Sequence, residues 1–204
     1  MTSPLKNKLW AAFAGAGLLL LLASPGLDET VGQWARAWGG TDWGKAWAGA
    51  AYYAGLGMVQ TGVMLVFMLA AWRLGRREMT FAGLMGAAAV LLSGILTQIL
   101  KHLLGRPRPR LGLPLWHFAG PTWNADFHSF PSGHAATSFA LAAVLAACFP
   151  RAAWLFYLLA ALDAAGRVVG GSHYLSDILG GAILGLMVGF PLVEMIRHRK
   201  VKTA

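Results

Sequence analysis

Charge is scarce in this sequence, and negative charge is the scarcest: eight Asp and Glu stand against 17 Lys and Arg. Only 12% of the side chains are charged, where a soluble domain carries about a quarter. With 57% hydrophobic residues and a mean hydropathy of +0.56, the chain is too apolar for water to be its main solvent. A single cysteine, Cys148, excludes a disulfide scaffold and a cysteine-based zinc site. There is no HExxH, no cluster of paired carboxylates and no GxxxxGK[ST] loop, so no metal, nucleotide or other cofactor is expected. The net charge of +9 does not imply nucleic acid, because the basic residues fall in small groups between apolar runs and form no single basic face.

What the sequence has in abundance is uncharged length. Leu9 to Leu27, Ala46 to Trp72 and Met79 to Leu100 carry no charge, and each is near the ~20 residues that cross a bilayer as a helix. Three further runs are apolar apart from a few polar residues: 127 to 150, 152 to 169 with Asp163 and Arg167, and 173 to 193 with Asp177. The reading is an all-α integral membrane protein, one domain over 1–204, with six transmembrane helices in a bundle. The spans are expected at about 9–27, 48–72, 79–104, 132–150, 152–169 and 173–195, with an outer surface segment at 28–47 and an outer loop at 105–131. The first run is read as a retained span and not a signal peptide, since Pro25 disrupts the obvious small-x-small cleavage site.

Short cytoplasmic segments collect Lys and Arg. With six spans, one side holds 10 of the 17 basic residues, from Lys6 and Lys8 through Arg73, Arg76, Arg77 and Arg151 to the C-terminal group at Arg197, Arg199, Lys200 and Lys202. That side is read as cytoplasmic, with both termini inside and the protein multi-pass in the cell inner (plasma) membrane. All nine tryptophans fall at or beyond span ends, which suits an aromatic belt in the headgroup layer. Trp34 with Trp38, and Trp43 with Trp47, are spaced i,i+4, so residues 30 to 47 are expected as short surface helices broken at Gly39-Gly40.

Ionisable groups inside apolar spans are costly and mark function. Lys101 ends span 3, His134 opens span 4, Arg167 lies near the end of span 5 and His173 opens span 6, so alternating direction puts all four on the outer face. In Lys101-His-Leu-Leu-Gly-Arg-Pro-Arg-Pro109 the prolines stiffen the backbone on both sides of Arg108, whose planar fork can hold two phosphate oxygens while Lys101 adds a point charge. Arg106 and Arg110 are read as a basic patch near anionic lipid or a highly charged headgroup. Ser132 is expected to cap span 4, and the free N–H groups there, with Gly133 leaving room for approach, make an anion pocket beside His134. Ser172 is expected to cap span 6. His173 and Asp177, at i,i+4, share a helical face, so the carboxylate can hold one ring nitrogen and leave the other as a nucleophile. Asp163 and Arg167, also i,i+4, read either as a positioning pair or as a structural one. His117 and His128 are read as loop residues. Gly181, Gly185 and Gly189 let span 6 approach a neighbour closely, by default within the bundle and alternatively as a homodimer face.

At three places the sequence resembles the type 2 phosphatidic acid phosphatase superfamily, whose signature is Lys-x6-Arg-Pro, Pro-Ser-Gly-His and Ser-Arg-x5-His-x3-Asp. The matches are Lys101 to Pro109, Pro131 to His134 and Arg167 to Asp177; Gly166 departs, standing where the family has serine. The resemblance implies that His173 attacks phosphorus to form a phosphohistidine, Asp177 orients it and His134 protonates the leaving oxygen. It implies that Lys101, Arg108, Ser132, Gly133 and Arg167 bind the phosphoryl oxygens. The expected function is then a metal-independent lipid phosphatase acting on a phospholipid monophosphate or polyprenyl diphosphate at the outer, periplasmic face. A phosphotransferase using the same intermediate and a non-enzymatic transporter are the alternatives. The resemblance also extends to soluble vanadium haloperoxidases, whose chemistry does not suit a chain this apolar.

Overall fold

The structure is a computed structural model that describes residues 24–203 together with Gly17 and Leu22. The described residues form seven α-helices: α1 (Pro25–Gly39), α2 (Asp42–Ala54), α3 (Gly57–Arg73), α4 (Arg77–Leu104), α5 (Gly133–Cys148), α6 (Ala153–Val169) and α7 (Leu175–Thr203). Local chemistry sets several of the boundaries. Pro25 opens α1, where its missing N–H is no loss. Thr41 caps α2 by accepting the Gly44 N–H at 3.1 Å. Gly105, at φ +62°, closes α4 in the left-handed conformation that Cβ-bearing residues avoid. Pro107 and Pro109 then keep the chain irregular, broken only by single 3-10 turns at Pro109–Leu111 and Ala125–Phe127.

Three helical segments are long and apolar enough to cross a membrane: Arg77–Leu111, Pro150–Val169 and Leu175–Arg199. A fourth is bent, for α2 and α3 meet at 56°. Within the expected span at 48–72 the helix breaks at Gly55 and Leu56, the two pieces together being long and apolar enough for one bent crossing. The reason is steric: a side-chain carbon on Gly55 would lie 2.3 Å from the His134 ring, so the backbone passes close against α5 at that point. The expected span at 132–150 appears as the 16-residue α5, shorter than a full crossing. The surface segment 28–47 appears as two helices broken after Gly39, as expected, although α2 runs on to Ala54. Most of the expected first span lies outside the described residues.

The bundle is organised around α5, which packs against α4, α6 and α7. Its Ala-rich face meets Met85 and Ala89 on one side and Val193 and Ile196 on the other. Side-chain carbons at Gly181, Gly185 and Gly189 would lie 2.4, 2.2 and 2.9 Å from the carbonyls of Ser132, Ala136 and Ala140. This glycine stripe therefore packs inside the bundle, as its default reading held; between helices surrounded by lipid, close backbone approach replaces the hydrophobic effect as the source of adhesion. Met58, Val63, Val66, Leu91, Ile95 and Ile99 point outward from α3 and α4 and are exposed, a surface suited to hydrocarbon.

Candidate active site

Four segment ends meet at one end of the bundle: the C-terminal turn of α4 with Lys101, the start of α5 with His134, the last turn of α6 with Arg167, and the turn before α7 with His173. All four residues line one cavity of about 1070 Å³, together with Arg108, Gly133 and Tyr52. From these polar groups the cavity runs between α3 and α4 past Leu65, Val90, Leu91 and Ile95. It is a polar mouth on an apolar groove.

His173 is buried, and its Nδ1 faces Asp177 Oδ2 at 3.5 Å, longer than a normal hydrogen bond. The pair stands as expected, but His173 lies in the turn and α7 begins only at Leu175. Because Nδ1 faces the carboxylate, Nε2 is the ring nitrogen left for chemistry. His173 sits outside the spans, and burial is the largest influence on its imidazole, holding the pKa down at about 4 against the pull of Asp177. A neutral ring with a free lone pair follows at neutral pH. Asp177 is fully buried and accepts from Ser129 Oγ at 2.5 Å, the Tyr174 N–H at 2.8 Å and Arg106 Nη1 at 2.6 Å.

Arg106 requires a correction. It is no lipid-facing basic residue but is 2% exposed. Its guanidinium bridges Asp177 and Asp28, with Nη2 3.1 Å from Asp28 Oδ2, and lies over the Tyr174 ring at 4.5 Å. Asp28, from α1, also accepts the Ser176 hydroxyl at 2.5 Å and the Ser176 N–H at 2.8 Å. Arg110 pairs with Asp126 on the surface. Neither arginine supplies surplus charge for a headgroup, so the case for a more highly charged substrate built on them falls.

Two of the remaining cations are held by backbone carbonyls. Lys101 Nζ donates to the His128 carbonyl at 2.7 Å. Arg108 donates to the carbonyls of Ala125 at 3.1 Å and Ser172 at 3.3 Å. Arg167 sits over the Tyr52 ring at 5.2 Å. It makes no ion pair with Asp163, which accepts from Ser138 Oγ at 2.6 Å instead. His134 Nε2 donates to the Tyr52 carbonyl at 3.0 Å.

The caps also differ from expectation. Ser132 occupies the cap position of α5 without a side-chain cap bond. Its N–H is taken by the Asp177 carbonyl at 2.9 Å, and its buried hydroxyl has no partner among the described residues. The first-turn N–H groups from Gly133 onward lack intrahelical acceptors by position, and a side-chain carbon on Gly133 would lie 4.0 Å from Lys101 Cε. Ser172 does not cap α7; Asp177 does so from within, through the Tyr174 N–H. His128 is buried and supplies the carbonyl for Lys101, whereas His117 is exposed in the loop. The glycine at 166 has a steric cause, since a Cβ there would lie 2.3 Å from Ala51 Cβ on α2. Two imidazoles, three cations and a helix start thus surround one space, a constellation able to hold a tetrahedral oxyanion.

Comparison with known proteins agrees with that geometry. The family model of the PAP2 superfamily matches residues 82–200, which include all three motifs. A lipid A 1-phosphatase of Rhizobium johnstonii is 38% identical over 98 residues, covering 47% of this chain and 40% of that protein. Undecaprenyl-diphosphatase BcrC of Bacillus subtilis is 29% identical over 131 residues, covering 61% of this chain and 63% of that protein. The chain thus spans only about 40% of the length of the lipid A 1-phosphatase it matches. In fold it resembles the crystal structure of Aquifex aeolicus LpxE, with a TM-score of 0.62 at 21% identity over 82% of this chain and 95% of that one. It also resembles the transmembrane PAP2-type phosphatidylglycerolphosphate phosphatase of Bacillus subtilis, with a TM-score of 0.60 at 22% identity over 91% and 96% of the two chains. With the family match running across more than half of its length and through Lys101, Arg108, His134, Arg167 and His173 at the cavity mouth, this membrane protein belongs to the PAP2 superfamily.

Proposed function

We propose that the protein is a lipid phosphatase that works through a phosphohistidine. The observation that carries this reading is the shared position of His134, His173, Lys101, Arg108 and Arg167 at the mouth of an apolar groove. His173 Nε2 attacks phosphorus while Asp177, facing Nδ1, orients the ring and stabilises its developing charge. His134 protonates the departing lipid oxygen, and water then cleaves the phosphorus–nitrogen bond. Lys101, Arg108, Arg167, the Ser132 hydroxyl and the Gly133 backbone hold the non-bridging oxygens, which is the main task in phosphoryl transfer. The groove takes the lipid chain; at about 0.8 kcal/mol per buried CH2 a long chain fixes the phosphate at the depth of the histidines. The substrate is a phospholipid monophosphate or polyprenyl diphosphate, in keeping with the names of the relatives.

Phosphate release from long-chain phosphatidate, phosphatidylglycerol phosphate and undecaprenyl diphosphate, in detergent, tests the reading against a soluble sugar phosphate. Release from at least one lipid is expected to persist in EDTA, because three fixed cations perform the charge neutralisation, and to be inhibited by vanadate, which imitates five-coordinate phosphorus. Preference for the sugar phosphate, or a strict need for added divalent metal, overturns it.

The proposal includes six spans, both termini in the cytoplasm and the site at the outer face of the plasma membrane, supported by the concentration of basic residues at the opposite ends of the helices. Reporter fusions at Ala204 and near Pro121 are expected to read cytoplasmic and exterior respectively. An exterior C-terminus reverses the orientation.

A further inference from the structure

Asp163 is a buried carboxylate for which the mechanism above has no task. Its Oδ2 accepts from Ser138 Oγ at 2.6 Å, and Ser138 in turn accepts from Gln60 Nε2 at 2.7 Å. Its Oδ1 is buried and has no hydrogen-bond partner among the described residues. The two oxygens and His134 converge on Gly55. A side-chain carbon there would lie 2.3 Å from His134 Cδ2, 2.4 Å from Asp163 Oδ1 and 2.5 Å from Oδ2. The glycine leaves open the space across which the carboxylate faces the ring edge that ends in Nε2.

Charge balance gives this contact a purpose. A histidine that donates a proton to a leaving oxygen does so as an imidazolium, so His134 must carry a positive charge while Lys101, Arg108 and Arg167 act on it. From α2 it meets the Tyr52 carbonyl and ring, and it shares the cavity with His173 from the α7 side. Asp177 and Asp28 are already matched by Arg106, and Asp126 by Arg110. Asp163 is the carboxylate beside the site with no ion pair within 4 Å among the described residues, its nearest opposite charge being Arg167 one turn further along α6.

We infer that Asp163 is a positioning residue for the general acid, its carboxylate offsetting the charge of the His134 imidazolium and holding the ring against α2 and α6. The inference rests on the phosphohistidine reading. In the step concerned, the His173 Nε2 lone pair forms the bond to phosphorus and the phosphorus–oxygen bond to the lipid breaks. The proton of His134 passes to that oxygen, leaving a neutral imidazole and a lipid alcohol, or a lipid monophosphate where the substrate is a diphosphate. In the second step water forms a bond to phosphorus as the phosphorus–nitrogen bond breaks, His134 takes the proton of that water, inorganic phosphate leaves, and Asp163 stays ionised throughout.

The test is leaving-group dependence. Asp163→Asn keeps the shape and can still accept from Ser138. On long-chain phosphatidate, whose alkoxide needs protonation, kcat is expected to fall at least about tenfold, a part of the 10²–10⁴ that general acid catalysis supplies. On a nitrophenyl phosphate bearing a similar alkyl chain, which leaves unaided, kcat should change less than about threefold, and KM should hold for both. In a His134→Ala background the same substitution should cost nothing further. Ser138→Ala, which frees the carboxylate from its anchor, should give the same selective loss in smaller measure and decides the matter if Asp163→Asn does not fold. Equal losses on both substrates, or none on either, overturn the inference. If the unsubstituted protein releases phosphate from neither substrate nor from phosphatidylglycerol phosphate or undecaprenyl diphosphate, the phosphatase reading itself fails.

Discussion

Replacing His173 with alanine is expected to lower turnover of any lipid substrate by at least about four orders of magnitude, the scale on which loss of a covalent nucleophile is felt. The expectation follows from geometry: the His173 ring lines the cavity with Nδ1 turned to Asp177, which leaves Nε2 for attack, whereas His134 spends its Nε2 on the Tyr52 carbonyl. His134→Ala should behave differently. It loses about 10²–10⁴-fold on an alkoxide-leaving lipid but still forms the phosphoenzyme from an activated aryl ester, because only the poor leaving group needs a proton. Brief incubation with labelled substrate, followed by alkaline quench and gel separation, distinguishes the two. Acid-labile label on the His173→Ala protein would reassign the nucleophile.

The second large effect is expected at a residue that touches no substrate. Arg106→Ala leaves Asp28 and Asp177 facing one another, both fully buried, without the guanidinium that bridges them. Breaking a buried ion pair in this way costs about 3–5 kcal/mol, so unfolding in detergent should begin at a clearly lower temperature and activity should fall with it. Arg106→Lys should not restore either property, since an ammonium cannot reproduce a fork that reaches two carboxylates and the Ser176 hydroxyl at once. Adding Asp28→Asn to Arg106→Ala should recover part of the stability by removing one uncompensated charge. An Arg106→Ala protein as stable as the parent would mean that the bridge carries no weight.

The contrast between Arg108 and Arg106 shows what was legible in the sequence. Uncharged length announced helices, and ionisable residues at their ends announced a site, because both are local patterns that a lipid solvent enforces. Arg108, Lys101 and the two histidines were found in that way. Arg106 was misjudged because its partner Asp28 stands 78 residues away, and Asp28 itself binds Ser176 across 148 residues. No periodicity connects such positions. Ser132 was assigned a cap from its place before a helix, but the Asp177 carbonyl takes its N–H and leaves its hydroxyl unpartnered. The bend at Gly55 was hidden for a similar reason: an apolar run reads as continuous unless a contact made elsewhere, here with His134, demands a break.

The stripe of Gly181, Gly185 and Gly189 beneath the site has one more consequence. The carbonyls of Ser132, Ala136 and Ala140 act as mechanical stops against those glycines, so α5 and α7 are spaced by main chain and not by the compressible tips of side chains. His134 is the second residue of one of these helices and His173 stands two residues before the other. The gauge between acid and nucleophile is thus cut into the backbone, so that a change of side chain in the groove between α3 and α4 alters what the groove can hold without altering the distance across which the reaction runs.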